Sequence, residues 1–378
     1  MTEKYLGSDI RKLGFGLMRL PTSGPNPFHG EIDLEQVKTM VDRFIEAGFT
    51  YFDTAYVYGE GKSELAIRDA LTSRYPRDSY QMADKLPLWN AETYDQLRPL
   101  FNTSLERTGA AYFDFYLQHS LDADSYQRTE KLGSWKFMQE LKSEGLIKYA
   151  GFSFHDSAEV LEKILTDHPE ADFVQLQINY ADWNDSKTQS RLCYETARRH
   201  GKPIIIMEPV KGGLLAELNP QITGLLKTTH PDQSLPSWAI RFAASLDGVI
   251  TVLSGMSNLD QMTDNLSTMK QFKPLDEAER AVLAKVVEIL DSSPTVPCTG
   301  CKYCVDGCPQ KINIPMVFRV LNDYSIYGDA EKCKGFYGFV IREAGKASEC
   351  IECGACEQIC PQHIEIIEKL KEAAAAFE

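Results

Sequence analysis

Eight short β-rich runs alternate with longer stretches of helical periodicity over residues 12–252. This alternation is typical of βα units around a parallel sheet. The predicted strands are 13–17, 50–54, 80–85, 113–119, 149–153, 173–178, 204–208 and 249–254. The predicted helices are 33–47, 62–74, 93–108, 135–143, 157–166, 188–200, 236–245 and 259–269, with a further helix at 276–290. Eight such units over about 250 residues favour a closed (β/α)8 TIM barrel over an open sheet.

Charge and hydropathy exclude several classes of partner. The chain carries 54 acidic against 40 basic side chains, a net charge of -14, so its surface repels phosphate backbones and anionic lipids. No apolar run approaches the roughly 20 residues of a membrane helix, and residues 1–7 do not resemble a signal peptide. We therefore expect a cytoplasmic protein with no nucleic-acid or membrane partner.

The cysteines are concentrated in the last part of the chain. Nine of the ten follow residue 297, and the run C-x2-C-x2-C-x3-C-P occurs twice. The eight cysteines of these runs are Cys298, Cys301, Cys304, Cys308, Cys350, Cys353, Cys356 and Cys360. In two-cluster ferredoxins three closely spaced thiolates bind one cube, and the cysteine before proline binds the other. The spacing therefore predicts two [4Fe-4S] clusters with crossed ligation, Cys360 joining the first run and Cys308 the second.

Two other interpretations of the cysteines remain open. Disulfides are disfavoured in a cytoplasmic compartment, and a zinc site needs only four sulfur ligands. Cys193 and Cys333 lie outside the repeated spacing, and we expect them to be packed as small apolar residues. The sequence thus divides into a barrel domain over 1–291 and a small, mainly helical iron-sulfur domain over 292–378.

Four ionisable side chains lie where the predicted strands end or in the loops that follow. They are Asp53, Tyr58, Lys85 and His119. Catalytic groups of such barrels lie at this rim. A buried Asp53 carboxylate would hold the Lys85 ammonium, which would lower the pKa of Tyr58 from its usual value near 10. Tyr58 could then protonate a carbonyl oxygen oriented by His119 while a nicotinamide delivers hydride, so the pattern predicts carbonyl reduction or its reverse.

The segment Asp-Thr-Ala-x-x-Tyr-Gly at 53–59 resembles the signature of the aldo-keto reductase superfamily, and the resemblance extends over about residues 10–290. It implies a catalytic tetrad of Asp53, Tyr58, Lys85 and His119, and NADP(H) as cofactor. It also implies cofactor contacts at Ser153, Gln177, Lys211, Gly255, Ser257, Asn258, Gln261 and Asn265. The last part of the chain resembles the helical type of two-cluster ferredoxin.

Two positions depart from the family pattern. Met207 stands where many members place an aromatic residue against the nicotinamide, and residues 255–258 contain no arginine or lysine for a 2′-phosphate. NADP(H) is the first choice that the resemblance implies, with NAD(H) as the alternative.

The combined pattern predicts an oxidoreductase that interconverts a carbonyl compound and an alcohol. The clusters would relay electrons to a redox partner protein, or act as structural support or as a redox sensor. The alternative is an electron-transfer protein whose barrel binds nucleotide without turnover, as in the related potassium-channel β subunits. The intact tetrad argues against that alternative.

Overall fold

The computed structural model describes residue 6 and residues 9–23, 31–186, 188–292, 295–298, 300, 302–360 and 362–378. Eight parallel strands pair in sequence order and close into a barrel, the last strand pairing with the first. The strands are β1 Leu13–Gly16, β2 Tyr51–Asp53, β3 Gln81–Leu86, β4 Phe113–Leu121, β5 Ile147–Phe154, β6 Phe173–Gln177, β7 Ile204–Met207 and β8 Val249–Gly255. The predicted (β/α)8 barrel, followed by a small helical region, is confirmed.

Helices follow the strands and continue to the end of the chain. They are α1 Leu34–Glu46, α2 Lys62–Ile67, α3 Leu97–Thr108, α4 Ala123–Leu132, α5 Ser134–Ser143, α6 Ala158–Asp167, α7 Ser190–Arg199, α8 Pro220–Thr229, α9 Leu235–Ala244, α10 Leu259–Lys270, α11 Glu277–Asp291, α12 Tyr303–Asp306, α13 Ile314–Tyr327, α14 Ala330–Val340, α15 Ala355–Ile359 and α16 Ile366–Phe377. None of the helices in the described part of the chain is long and apolar enough to cross a lipid bilayer.

The sequence analysis missed α4 and α8, each of which begins directly after a residue whose side chain caps the helix. The Asp122 side chain accepts a hydrogen bond from the Ser125 backbone at 2.7 Å. Asn219 does the same for Ile222 at 2.9 Å, with Pro220 as the first helical residue. Such N-caps satisfy orphan N–H groups of the first turn and define a helix start without help from hydropathy.

Strand alternation separates the barrel interior from the layer beneath the helices. A buried hydrophobic cluster joins residues from six of the strands: Tyr51, Ala83, Phe115, Leu117, Phe173, Ile205, Ile250 and Leu253. Asp53, Lys85 and His119 each follow a member of this cluster by two positions, so they share its side of the sheet and lie nearer the carboxyl ends of the strands. The same packing that fills the barrel therefore places three ionisable groups above it.

The strand register staggers these three groups. Asp53 pairs with Ala83 across β2 and β3, and Lys85 pairs with Leu117 across β3 and β4. Lys85 is therefore two residues beyond the level of Asp53, and His119 is two residues beyond the level of Lys85. This stagger is the shear that closes a barrel of tilted strands.

The described chain forms two compact units. One comprises residues 1–210 and 236–275, and contains the barrel strands; the other comprises 211–235 and 276–378. In the second unit α8 packs on α11, and α13, α14 and α16 pack on one another. The domain boundary predicted after residue 291 stays a prediction, and Ser293 and Pro294 of the segment that follows it lie outside the described residues.

The two cysteine-bearing segments of the second unit lie side by side. Helix α12 contacts α15, and a parallel bridge joins Ile312 to Gly345. A Cβ on Gly345 would lie 2.1 Å from the Gln310 carbonyl oxygen, so only glycine allows the two backbones to approach this closely. The local fold therefore brings the two cysteine runs together although about forty residues separate them in sequence.

Asp114, near the start of β4, should contribute to stability without contributing to chemistry. It is 3% exposed and accepts hydrogen bonds from Lys148 at 2.7 Å, from Arg77 at 2.6 Å and from the Met82 backbone at 2.9 Å. Asp114→Asn should lower the free energy of unfolding by about 2 kcal/mol, because charge-assisted bonds become weaker or are lost. Thermal denaturation followed by circular dichroism measures this, with the exposed Asp124→Asn as control. An unchanged midpoint would contradict the expectation.

Candidate active site and cysteine cluster

A buried ion pair lies inside the barrel between β2 and β3. The Lys85 ammonium donates to Asp53 Oδ1 at 2.5 Å and to the Thr54 carbonyl oxygen at 2.8 Å. Lys85 is 1% exposed and Asp53 2% exposed. A buried ammonium is tolerated only when paired and hydrogen-bonded, so these two acceptors fix its position.

Tyr58 and His119 lie next to this ion pair. The Lys85 Nζ atom is 4.8 Å from the centroid of the Tyr58 ring. The Tyr58 and His119 rings meet edge to face with their centroids 5.9 Å apart. The structure therefore brings together all four side chains that the sequence analysis placed at this rim.

Burial and charge set the protonation states of the site. Burial alone would lower the pKa of Lys85, but the charge of Asp53 and its hydrogen bond act in the opposite direction, so the pKa is raised and the ammonium persists. Burial, reinforced by the Lys85 charge, holds the pKa of His119 well below its usual range. His119 is therefore a neutral imidazole at neutral pH.

The expected lowering of the Tyr58 pKa is wrong in its net direction. Lys85 does act to lower it, but burial raises the pKa of Tyr58 by more, and the negative charge of Asp53 adds to the increase. The phenol therefore carries its proton throughout the neutral range. A proton donor must carry its proton before it reacts. Tyr58 can therefore still act as the donor, although its pKa is raised and not lowered.

Two predicted cofactor contacts lie at the same rim. Ser153 is close to the end of β5, where its Oγ accepts a hydrogen bond from the Ser120 backbone at 2.7 Å. Gln177 is the last residue of β6. Because all eight strands are parallel, these residues share the rim with the tetrad.

The predicted residues after β8 form one hydrogen-bonded turn at the start of α10. The Asn258 side chain caps the helix by accepting from the Gln261 backbone at 2.9 Å, and Gln261 accepts from the Ser257 backbone at 2.7 Å. Asn265 donates to Ser254 at 2.8 Å, which ties the helix to the strand that ends at Gly255. Helix N-termini of this length favour anions. Lys211 belongs to the second compact unit, and its role stays a prediction.

Two residues near the site were missed by the sequence analysis. Arg19, in the short turn after β1, lies with its side chain against Gly255, 3.7 Å from where a Cβ would stand, and its backbone oxygen accepts from Ser257 at 2.9 Å. Trp89, 46% exposed, lies 5.2 Å from the His119 ring, centroid to centroid. Both follow the ends of strands, so an inspection of every strand end would have found them.

One cavity in the second unit is lined by four cysteines. They are Cys308, Cys350, Cys353 and Cys356, around a small space that is partly open to solvent. Cys308 comes from the first run and the other three from the second, which is the set that crossed ligation requires. Ile312, Ile314 and Leu370 supply apolar wall beside the sulfurs.

The remaining cysteines divide into two groups. Cys298, Cys304 and Cys360 of the other predicted ligand set are described, whereas Cys301 lies outside the described residues. Cys193 and Cys333 are buried, as expected for packed thiols. No described cysteine forms a disulfide.

In the described part of the chain no three His, Cys, Asp or Glu side chains are close enough to share one metal ion. In a [4Fe-4S] cube each thiolate binds a different iron, so the four ligands of a cube are spaced more widely than the ligands of one ion.

Two family models match the chain. Residues 12–288 match the aldo/keto reductase family, and residues 297–365 match a 4Fe-4S dicluster domain. The two matches coincide with the barrel-bearing and cysteine-rich parts of the sequence.

Curated relatives include several reductases. An aldo-keto reductase, str7, of Strobilurus tenacellus is 33% identical over 57% of this chain and 62% of its own length. A probable aldo-keto reductase 1 of Glycine max is 30% identical over 47% of this chain and 50% of its own length. The chain thus spans between half and about three-fifths of these two relatives.

Solved structures share the fold. Aldo-keto reductase AKR11C1 from Bacillus halodurans, in its holo form, has 25% identity and a TM-score of 0.57, covering 75% of this chain and 95% of that one. An aldo-keto reductase from Klebsiella pneumoniae in complex with NADPH has 18% identity and a TM-score of 0.58, covering 74% and 91%. With a closed eight-stranded barrel and a family match over most of its length, the chain belongs to the aldo/keto reductase family.

Proposed function

We propose that this chain is an NAD(P)H-dependent oxidoreductase that reduces an aldehyde or ketone to an alcohol, or catalyses the reverse reaction. The observation that carries the proposal is the buried Lys85–Asp53 pair beside a protonated Tyr58 and a neutral His119. This arrangement supplies a proton donor and a neutral hydrogen-bond donor at one point, which are the groups that carbonyl reduction needs.

Each side chain has a distinct role in the proposed reaction. Tyr58 donates its phenolic proton to the carbonyl oxygen, and the neighbouring Lys85 ammonium stabilises the phenolate that remains. The neutral His119 imidazole keeps one N–H, which can donate a hydrogen bond to the same oxygen. When bound, the nicotinamide cofactor supplies the hydride. In the reverse direction the Tyr58 phenolate accepts the alcohol proton.

We propose NADP(H) as the cofactor, with NAD(H) as the alternative. Ser257, Asn258 and Gln261 form a hydrogen-bonded turn at the start of α10, where the dipole of the helix favours the negative charge of a phosphate. The aliphatic part of the Arg19 side chain lies beside Gly255, and we propose that its guanidinium supplies the positive charge that residues 255–258 lack. The Klebsiella reductase of the same fold was solved with NADPH.

We also propose that two [4Fe-4S] clusters bind to the cysteine-rich region. Cys308 would complete the set of Cys350, Cys353 and Cys356, with which it shares a cavity. Cys298, Cys301, Cys304 and Cys360 would hold the other cluster. Each cube passes one electron at a time. We propose that the clusters either exchange electrons with a redox partner protein or give structural support. Reduced thiols of this kind suit a cytoplasmic location.

The second candidate is an electron carrier whose barrel binds nucleotide without turnover. It is supported by the cysteine-lined cavity, which does not depend on the barrel chemistry. The buried Lys85–Asp53 pair beside Tyr58 argues against it, because burying a charge pair is costly and serves no purpose in mere nucleotide binding.

Anaerobically purified protein tests both parts of the proposal. Aldehydes and ketones should stimulate NADPH oxidation, with kcat/KM for NADPH about tenfold or more above that for NADH, since about 1.4 kcal/mol from a phosphate contact gives that ratio. Iron analysis should give about eight irons per chain. Eight irons without turnover of any carbonyl or alcohol would favour the electron carrier, and fewer than about four irons would reject two clusters.

A further inference from the structure

Tyr58 stands in a turn rather than on a strand, and the turn has an unusual backbone. Gly59, Glu60 and Gly61 follow one another with positive φ angles of 55°, 61° and 87°. Successive left-handed residues are energetically unfavourable, above all for a residue with a side chain such as Glu60, and persist only when surrounding contacts enforce them. The position of the phenol therefore depends on whatever braces this turn.

Arg107, on α3, contacts both ends of the turn. Its Nη1 atom donates to the Tyr56 carbonyl oxygen at 3.3 Å, and its guanidinium lies over the Tyr56 ring at 4.5 Å from the centroid. The same Nη1 atom is 2.7 Å from the point where a Cβ on Gly61 would stand. One side chain thus spans the segment that carries Tyr58, and Gly61 leaves the space for it.

A buried carboxylate holds Arg107 in place. Glu64 Oε2 accepts from Arg107 Nη1 at 3.0 Å, and Glu64 is fully buried on α2. The neighbouring Asp84, also fully buried, accepts from the Lys85 backbone at 2.7 Å. Burial, together with the nearby Glu64, holds the pKa of Asp84 well above its usual range. The contacts therefore run from the turn of Tyr58 to the strand of Lys85.

We propose that Arg107 is a positioning residue for Tyr58. Bound to Glu64, it fixes the turn at Tyr56 and Gly61 so that the phenol stays beside the Lys85 ammonium. Arg107 does not touch the reacting atoms. This inference rests on the proposed function, in which Tyr58 is the proton donor. A displacement of the donor by about 1 Å can cost on the order of a hundredfold in rate.

Arg107→Met, in the full chain with its clusters, tests the proposal. We expect kcat for carbonyl reduction to fall by roughly 10- to 100-fold, because the phenol loses its fixed position. The dissociation constant of NADPH, followed by the fluorescence of the bound nucleotide, should change less than about twofold, since no cofactor contact is removed.

Arg98→Met is the matched control. Arg98 lies on the same helix, but its guanidinium bonds to Glu144, at 2.8 and 2.5 Å, instead of to the turn. Its kcat should stay within about twofold of the parent. An equal loss of kcat in both variants would mean that α3 supports the fold in general, and would overturn the proposal.

A conservative variant separates positioning from folding. Arg107→Lys keeps the charge opposite Glu64 but loses the planar stacking on Tyr56, so its kcat should lie between those of the parent and Arg107→Met. If Arg107→Met does not fold, Arg107→Lys decides: unchanged kcat refutes the proposal, and lowered kcat with unchanged NADPH affinity supports it. Loss of NADPH affinity in step with kcat would also refute it.

The proposed function has its own test in Tyr58→Phe. Full activity of that variant would show that Tyr58 is not the proton donor, and would refute both the proposed function and the role of Arg107. An inactive Tyr58→Phe beside a fully active, folded Arg107→Met would leave the proposed function intact and refute only the role of Arg107.

Discussion

Replacing Tyr58 by phenylalanine should lower kcat for carbonyl reduction by about a thousandfold, within the range of general-acid catalysis. The substitution removes the phenolic proton beside Lys85, while the ring keeps its packing 4.8 Å from the ammonium and against His119. The rate is measured anaerobically as carbonyl-dependent oxidation of NADPH at saturating substrate. The dissociation constant of NADPH should stay within about twofold.

Tyr75→Phe is the control for this experiment. It also removes a hydrogen-bonded phenol, the one that donates to Asp42 at 2.5 Å, but it lies beyond α2, away from the strand ends. Its kcat should match the parent. Retention of more than about a tenth of kcat in Tyr58→Phe would show that another group donates the proton.

Cys308→Ser should lower the iron content by about four atoms per chain, which is the content of one cube. Cys308 lines the cavity of Cys350, Cys353 and Cys356, so we expect the lost cluster to be the one built on the second run. Iron analysis and electron paramagnetic resonance of the reduced protein give the number of clusters that remain. Cys333→Ala, which removes a buried thiol outside both runs, should keep the iron content of the parent.

A combined variant shows which cluster Cys308 serves. When Cys350, Cys353 and Cys356 are already replaced by serine, adding Cys308→Ser should remove no further iron if ligation crosses between the runs. A further loss of about four irons would mean that each run holds its own cube. The same comparison with Cys360 and the first run gives an independent answer.

The sequence was most informative where the strand pattern is regular. Asp53, Lys85 and His119 end or nearly end successive strands, so their meeting follows from the barrel alone once the strands are recognised. The strand pattern alone does not place Tyr58, because it lies in an irregular turn. The resemblance around residues 53–59 identified it. The crossed cysteine set was predicted from the spacing and from the ligation of two-cluster ferredoxins. It stays a prediction, with which the cavity shared by Cys308 and three cysteines of the second run is consistent.

Other features depend on tertiary packing that a local pattern does not contain. Arg107 lies in a polar stretch of α3 and would be expected to face solvent, yet it bonds to residues 43 and 51 positions away. The net pKa of Tyr58 depends on how completely the assembled barrel excludes water. Residues 211–235 were assigned to the barrel domain but belong to the second compact unit, because α8 packs on α11, which comes later in the chain.

The turn that carries Tyr58 can change in evolution independently of the barrel strands. Three members of the tetrad are locked to neighbouring strands, where a one-residue insertion would flip each side chain to the wrong side of the sheet. The fourth, Tyr58, lies in a glycine-containing turn that Arg107 of α3 supports. Descendants of this protein could therefore drift toward faster or slower chemistry through mutations in the bend and its support, while the barrel itself is inherited unchanged.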